Sequence, residues 1–180
     1  MPTSLDLNDR DLLDFISENE INTILDVGPG DGRIADNILQ GYPHCSIDAV
    51  EIETDYVIKY KLEQKYKKVY KQNIKDFCLN NSQLRYDLVV FFDILEHLFR
   101  SEAFDVLDCM LYRSKFIIVQ WPNDYLQDDY QGVKSEIHKS NFTIRELINQ
   151  GFDVVFFKKK NYKEYNFSMN FCIMQGYKNN

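Results

Sequence analysis

The four cysteines, Cys45, Cys78, Cys109 and Cys172, include no C-x-x-C pair. Their wide spacing excludes a zinc knuckle and a disulfide framework, and they read as small buried hydrophobes of a reducing compartment. No apolar run approaches the ~18 residues that a membrane span requires, and Met1 to Arg10 has no basic segment followed by an apolar core. The expectation is a cytoplasmic protein with no membrane partner. Positive charge is in deficit, with 21 Lys and Arg against 28 Asp and Glu and a net charge of -7. That balance excludes a surface built throughout to hold a nucleic-acid backbone and leaves nucleic acid only a local patch. Glycine and proline are sparse, at 7 and 4, and nothing repeats, so neither disorder nor a solenoid is expected.

What is present is an ordinary globular composition, 44% hydrophobic and 27% charged over 180 residues, which predicts a single domain spanning 1–180. Leu12, Leu13 and Ile16 recur at helical spacing and predict an N-terminal helix within 1–20. Ile21 to Val27 reads as a buried strand, followed by a glycine-rich turn and a helix carrying Ile34, Ala35, Ile38 and Leu39. Cys45 to Glu51, Val69 to Lys71 and Tyr86 to Phe92 read as further strands. The last is nearly all apolar, as expected of a central parallel strand covered on both faces. Ser101 is the expected cap of a helix bearing Phe104, Leu107 and Leu111, and Lys115 to Gln120 is the next strand, ended by Trp121-Pro122. Residues 121–142 form a long substrate-side loop, polar and aromatic and without periodicity. Thr143-Ile144-Arg145-Glu146 is a capping box, with Gly151 as the stop.

Phe152 to Phe157 and Asn166 to Gln175 are the last two strands, joined by a loop containing Lys158, Lys159, Lys160, Tyr162 and Lys163. With Tyr165 this lysine run reads as a solvated loop or a holder of an anionic acceptor. Alternating strands and helices imply an α/β fold with a doubly wound, Rossmann-like, seven-stranded sheet. It is mostly parallel, with an antiparallel final strand, because so short a connection makes no parallel crossover.

Gly28, Gly30 and Gly32 let the backbone turn sharply after the first strand, at the sheet end where α/β proteins bind ligands. Asp26 adds a carboxylate there. Glu51 ends the next strand, where an acidic side chain accepts both hydroxyls of a ribose. Asp93, Glu96 and His97 follow the fourth strand at i, i+3 and i+4, sharing one face if a helix begins there.

The run Ile24-Leu25-Asp26-Val27-Gly28-Pro29-Gly30-Asp31-Gly32 resembles the first signature of class I S-adenosyl-L-methionine-dependent methyltransferases. Ala49-Val50-Glu51, Asn73-Ile74-Lys75-Asp76-Phe77 and Tyr86 to Val90 with Asp93 to Leu98 are similar to the family's later motifs in order. His138, Phe142-Thr143, Glu146-Leu147 and Gly151-Phe152 look like the late segment of its ubiquinone-biosynthesis-type branch. Asn73 departs from the aspartate common there, although its amide oxygen can still accept from an adenine amino group. The resemblance implies S-adenosyl-L-methionine as cofactor, held by Asp26, Gly28, Pro29, Gly30, Gly32, Glu51, Asn73, Ile74 and Asp93.

The resemblance further implies methylation of an O or N acceptor on a small molecule, with His97 or His138 as base, oxygen preferred and no metal assigned. Trp121, Tyr125 and Tyr130 are candidate walls of the acceptor pocket. Asp93, Glu96, His97 and His138 also resemble the metal-binding set of RNA 3′-end 2′-O-methyltransferases, which makes metal-assisted RNA methylation the second reading. An NAD-dependent oxidoreductase shares the glycine turn and acidic strand end. Its third glycine or alanine, however, should fall at 33, where Arg33 stands. A non-catalytic nucleoside-binding protein is the remaining alternative.

Overall fold

The computed structural model describes residues 6–123, 125–162 and 167–176. Lys163 and Tyr165 lie outside them. Seven strands form one sheet: β1 (Thr23–Val27), β2 (Ser46–Glu51), β3 (Lys68–Lys71), β4 (Tyr86–Phe92), β5 (Ser114–Asn123), β6 (Val154–Tyr162) and β7 (Phe167–Gln175). Their order is β3-β2-β1-β4-β5-β7-β6, parallel from β3 to β5, with β7 antiparallel to both neighbours. The expected sheet and its antiparallel last strand are therefore observed.

Among the described residues α1 (Asp9–Glu18) precedes β1, and five α-helices lie between successive strands: α2 (Arg33–Gly41), α3 (Thr54–Lys59), α4 (Ile74–Asn80), α5 (Arg100–Leu111) and α6 (Ile144–Asn149). Alternate residues of the central strands point to opposite faces, so two cores form. Leu25, Val27, Val89, Phe91, Ile117 and Val119 pack with α4 and α5, while Ile24, Ala49, Leu88, Val90 and Ile118 pack with α1 and α2. Among the described residues no helix is long and apolar enough to cross a membrane.

Four local expectations change. β5 does not end at Trp121-Pro122; it runs on to Asn123, pairing Trp121 with Asn170 and Pro122 with Met169. Pairing with β4 stops at Gln120, so beyond it β5 has a neighbour on one side only, and a residue lacking N–H is tolerated. The lysines at 158, 159 and 160 belong to edge strand β6 rather than to a loop. α5 starts before Ser101, with Phe99 at its cap and the Phe99 N–H donating to Glu102 at 3.1 Å. Asp93 to His97 do not begin an α-helix: Asp93 is left-handed at φ 56, and a 3-10 turn spans Leu95–His97. The capping box does form, with Thr143 Oγ1 accepting from the Glu146 N–H and Glu146 from the Thr143 N–H, and Gly151 follows at φ 92.

Candidate active site

A cavity of about 920 Å³ opens at the carboxyl ends of the parallel strands. Along the strand order its wall passes from Glu51 on β2 to Gly28 after β1, Asp93 after β4 and Tyr125 beyond β5. This is the crevice that an open α/β sheet leaves for a ligand.

The glycine turn is bare because it has to be. Gly28 has φ 66, its N–H donates to Val50 O at 2.9 Å, and a Cβ there would meet Ile94 Cδ1 at 2.0 Å. Gly30, at φ 56, also lines the cavity. Its N–H and that of Ile52 donate to the Glu51 carboxylate, whose Oε1 also accepts from the Glu53 N–H at 2.8 Å. Turn and acid are thus one unit. Burial pushes Glu51, 4% exposed, up to about 7, with Glu53 adding to the rise and the N–H groups opposing it.

Asp26, Pro29 and Gly32 are placed off the cavity wall. Asp26 alternates with Leu25 and Val27 along β1, so it points to the other face of the sheet, where Tyr66 Oη donates to it at 2.6 Å. Burial pushes Asp26 up to about 6 against the opposing Tyr66 bond and Arg33 charge. Pro29 O accepts from the Gly32 N–H, and Gly32, left-handed at φ 81, is the residue before α2. These three shape the turn from beneath. Asn73 and Ile74 do line the cavity, but Asn73 Oδ1 accepts from the Lys75 N–H at 2.8 Å as the cap of α4. One lone pair and the amide hydrogens remain for a ligand.

Asp93 lines the cavity and accepts at Oδ2 from Gln120 Nε2 at 3.1 Å. Gln120 in turn accepts from Asn8 Nδ2 at 2.6 Å. Sequence reading missed both partners, although a glutamine in the apolar run of β5 was a visible signal.

Beyond Asp93, ligand-capable atoms of Glu96, His97 and His138 lie within 4.8 Å of one another. The pairing arises because the Lys139 and Ser140 N–H groups both donate to Glu96 O, and Ser140 Oγ donates to Leu98 O, stitching the loop to the turn. His97 Nδ1 meets Ile137 O at 3.3 Å and His138 Nδ1 meets Tyr125 O at 2.9 Å. A carbonyl accepts only, so each Nδ1 carries the proton and each Nε2 keeps a lone pair. Burial and the nearby His138 push His97 down to about 4, and burial also lowers His138, so both imidazoles are neutral. Glu96 is 1% exposed and neither carboxylate oxygen has a hydrogen-bond partner among the described residues. Burial and Asp93 raise its pKa well above the usual range. One Glu96 oxygen and an imidazole nitrogen from each histidine thus converge in a way that suits a shared proton or a cation.

The loop beyond β5 roofs this end. Ser135 Oγ donates to Glu53 at 2.5 Å and Tyr56 Oη to Glu136 at 3.2 Å, across the cavity mouth. Tyr125 and Gln127 contribute to the wall, and Tyr162 and Phe167 stack beside Tyr125. Trp121 does not: it is fully buried, with Nε1 donating to Phe142 O at 2.9 Å. Tyr130 is also absent from the wall.

No family model and no curated protein matches the sequence. Solved structures do resemble the fold. The N-terminal domain of EvdMO1 with SAH bound has a TM-score of 0.70 at 12% identity, covering 97% of this chain and 83% of that one. It is also known in the presence of SAH and D-fucose. Magnesium protoporphyrin IX methyltransferase (ChlM) from Synechocystis PCC 6803 with bound SAH gives a TM-score of 0.67 at 13% identity, covering 94% and 82%. The methyltransferase domain of bacterial CtHen1 gives 0.65 at 16%, covering 94% and 98%. With its parallel sheet and antiparallel β7, the chain has the Rossmann-like class I methyltransferase fold.

Proposed function

We propose that the protein is an S-adenosyl-L-methionine-dependent methyltransferase acting on a hydroxyl oxygen of a small molecule. The observation that carries this reading is one cavity holding both the Gly28–Gly30–Glu51 unit and two neutral imidazoles with free Nε2 lone pairs. When bound, the sulfonium supplies an electrophilic methyl group. Glu51 accepts from the ribose hydroxyls, the bare turn admits the ligand backbone-close, and Asn73 and Ile74 border the adenine. His138 or His97 takes the acceptor proton, and the roof anchored through Ser135 and Tyr56 excludes water. A small acceptor is in keeping with the ChlM name and with D-fucose accompanying EvdMO1.

The test has two parts. S-adenosylhomocysteine should raise the melting temperature of the wild type and NADH should not. His97→Ala and His138→Ala should then keep that thermal shift while losing turnover. Wild-type turnover in both variants removes the base role.

Glu96, buried beside the two imidazoles with both oxygens unpartnered among the described residues, favours a second reading, a divalent cation on Glu96, His97 and His138. Such an ion would lower the pKa of the acceptor hydroxyl. A terminal ribose of RNA, the acceptor implied by the sequence resemblance of Asp93, Glu96, His97 and His138, is then the competing acceptor. Manganese titration of the wild type and of Glu96→Gln decides the matter: binding that Glu96→Gln abolishes supports the ion, and no binding to the wild type excludes it.

A further inference from the structure

Asn8 stands immediately before α1, where asparagine ordinarily caps its own helix. It makes no side-chain cap bond. The amide turns inward instead, 3% exposed, and donates to Gln120 Oε1 at 2.6 Å. Gln120 is fully buried among Ile118, Val119 and Trp121, a position where an apolar residue costs nothing and an amide must be bonded. Its Nε2 donates to Asp93 Oδ2 at 3.1 Å and its carbonyl oxygen accepts from the Asp93 N–H at 2.9 Å. Asp93 is thereby gripped by main chain and side chain at once, in the left-handed conformation that lifts it out of β4 into the cavity.

The same N-terminal segment reaches the ligand space itself. Asp6 and Leu7 line the cavity, and Asp9 pairs with Arg33 and accepts from Asn37 at 2.6 Å, tying α1 to the helix that follows the glycine turn. A helix cap has been forgone and an amide buried in a central strand. The outcome of both is a carboxylate fixed in a cavity that the N-terminal segment also lines.

The geometry assigns Asn8 and Gln120 as positioning residues that hold Asp93 toward an ammonium group, the amino-acid end of the bound nucleoside. This rests on the cofactor reading above. A carboxylate that accepts from an amide at one oxygen can still accept from an ammonium, and such charge-assisted bonds are the strong ones. The amide order is fixed by the chain: Asn8 donates to Gln120, and Gln120 donates to Asp93.

The experiment compares two ligands by calorimetry. S-adenosylhomocysteine carries the amino-acid end, whereas 5′-methylthioadenosine has the same nucleoside and sulfur without it. Gln120→Leu should weaken S-adenosylhomocysteine about tenfold or more and leave methylthioadenosine within about twofold. Asn8→Ala should shift the same ratio by about three- to tenfold, and it serves if Gln120→Leu does not fold. A role in folding alone would weaken both ligands in parallel, and that result, or an unchanged affinity for S-adenosylhomocysteine, overturns the assignment. Wild-type protein that binds neither ligand overturns the cofactor reading itself.

Discussion

The pH dependence of cofactor-product binding should report the state of Glu51. In the ligand-free cavity burial pushes this carboxyl up to about 7, against an ordinary value of 4.5. Ribose hydroxyls donate to the charged form, so only the ionised fraction binds well. That fraction is about 0.9 at pH 8 and about 0.1 at pH 6, which makes the affinity for S-adenosylhomocysteine about tenfold weaker at pH 6, or about 1.4 kcal/mol. Binding also releases protons, about half of one at pH 7, measurable by calorimetry in two buffers of different ionisation enthalpy. Glu51→Gln keeps the shape and loses the charge, so its affinity should be about 10- to 100-fold lower at pH 8 and flat from pH 6 to 8. The sign on stability is opposite. A raised folded-state pKa gives a contribution fully present below about 4.5 and lost as pH rises through about 7, so the ligand rescues more stability at pH 8 than at pH 6. A wild-type affinity independent of pH, or a Glu51→Gln variant that keeps the slope, would refute this account of the ribose contact.

Other consequences are quicker to check. Gly28→Ala must move Ile94 and adopt φ 66, a strain of about 1–2 kcal/mol, and should abolish the thermal shift by S-adenosylhomocysteine. Gly132→Ala, at φ 85 with nothing within 4 Å of its Cβ, should keep that shift while losing about 1–2 kcal/mol of stability to the same backbone strain. Trp121→Phe strands the Phe142 carbonyl in the core and should cost about 1–3 kcal/mol in urea unfolding; a loss below about 0.5 kcal/mol would argue against the buried bond. Thr143→Ala removes one half of a capping box and should cost about 1 kcal/mol by the same measurement, with no change in ligand affinity.

Features set by local chemistry were legible in the sequence. Largely apolar runs marked β1 and β4, the Thr143–Glu146 pair marked α6, and the bare Gly28–Gly30 turn beside Glu51 marked one wall of the cavity. Partner choice was not. Asp26 looked like a ligand contact, but strand alternation aims it at Tyr66, a residue 40 positions away. His97 and His138 looked like alternative bases, and it takes Ser140 and Lys139, bonding back to Glu96 and Leu98, to bring them to 4.8 Å between ring centroids. Nothing in the polar stretch from Asn8 to Asp11 marks Asn8, which is almost fully buried. The short α4 escaped notice because its seven residues span too few turns for an apolar period to register.

The lysines of β6 have a consequence apart from any ligand. This strand is nine residues long and closes one side of the sheet, exposing Val155, Phe156 and Phe157 next to unpaired main-chain groups. Such a margin invites another molecule to add its own strand, the first step of aggregation, and Lys159 and Lys160 place full charges where that newcomer would have to dock. Their cost to an incoming strand is desolvation, so replacing them with threonine should leave the monomer folded while lowering the concentration at which it precipitates.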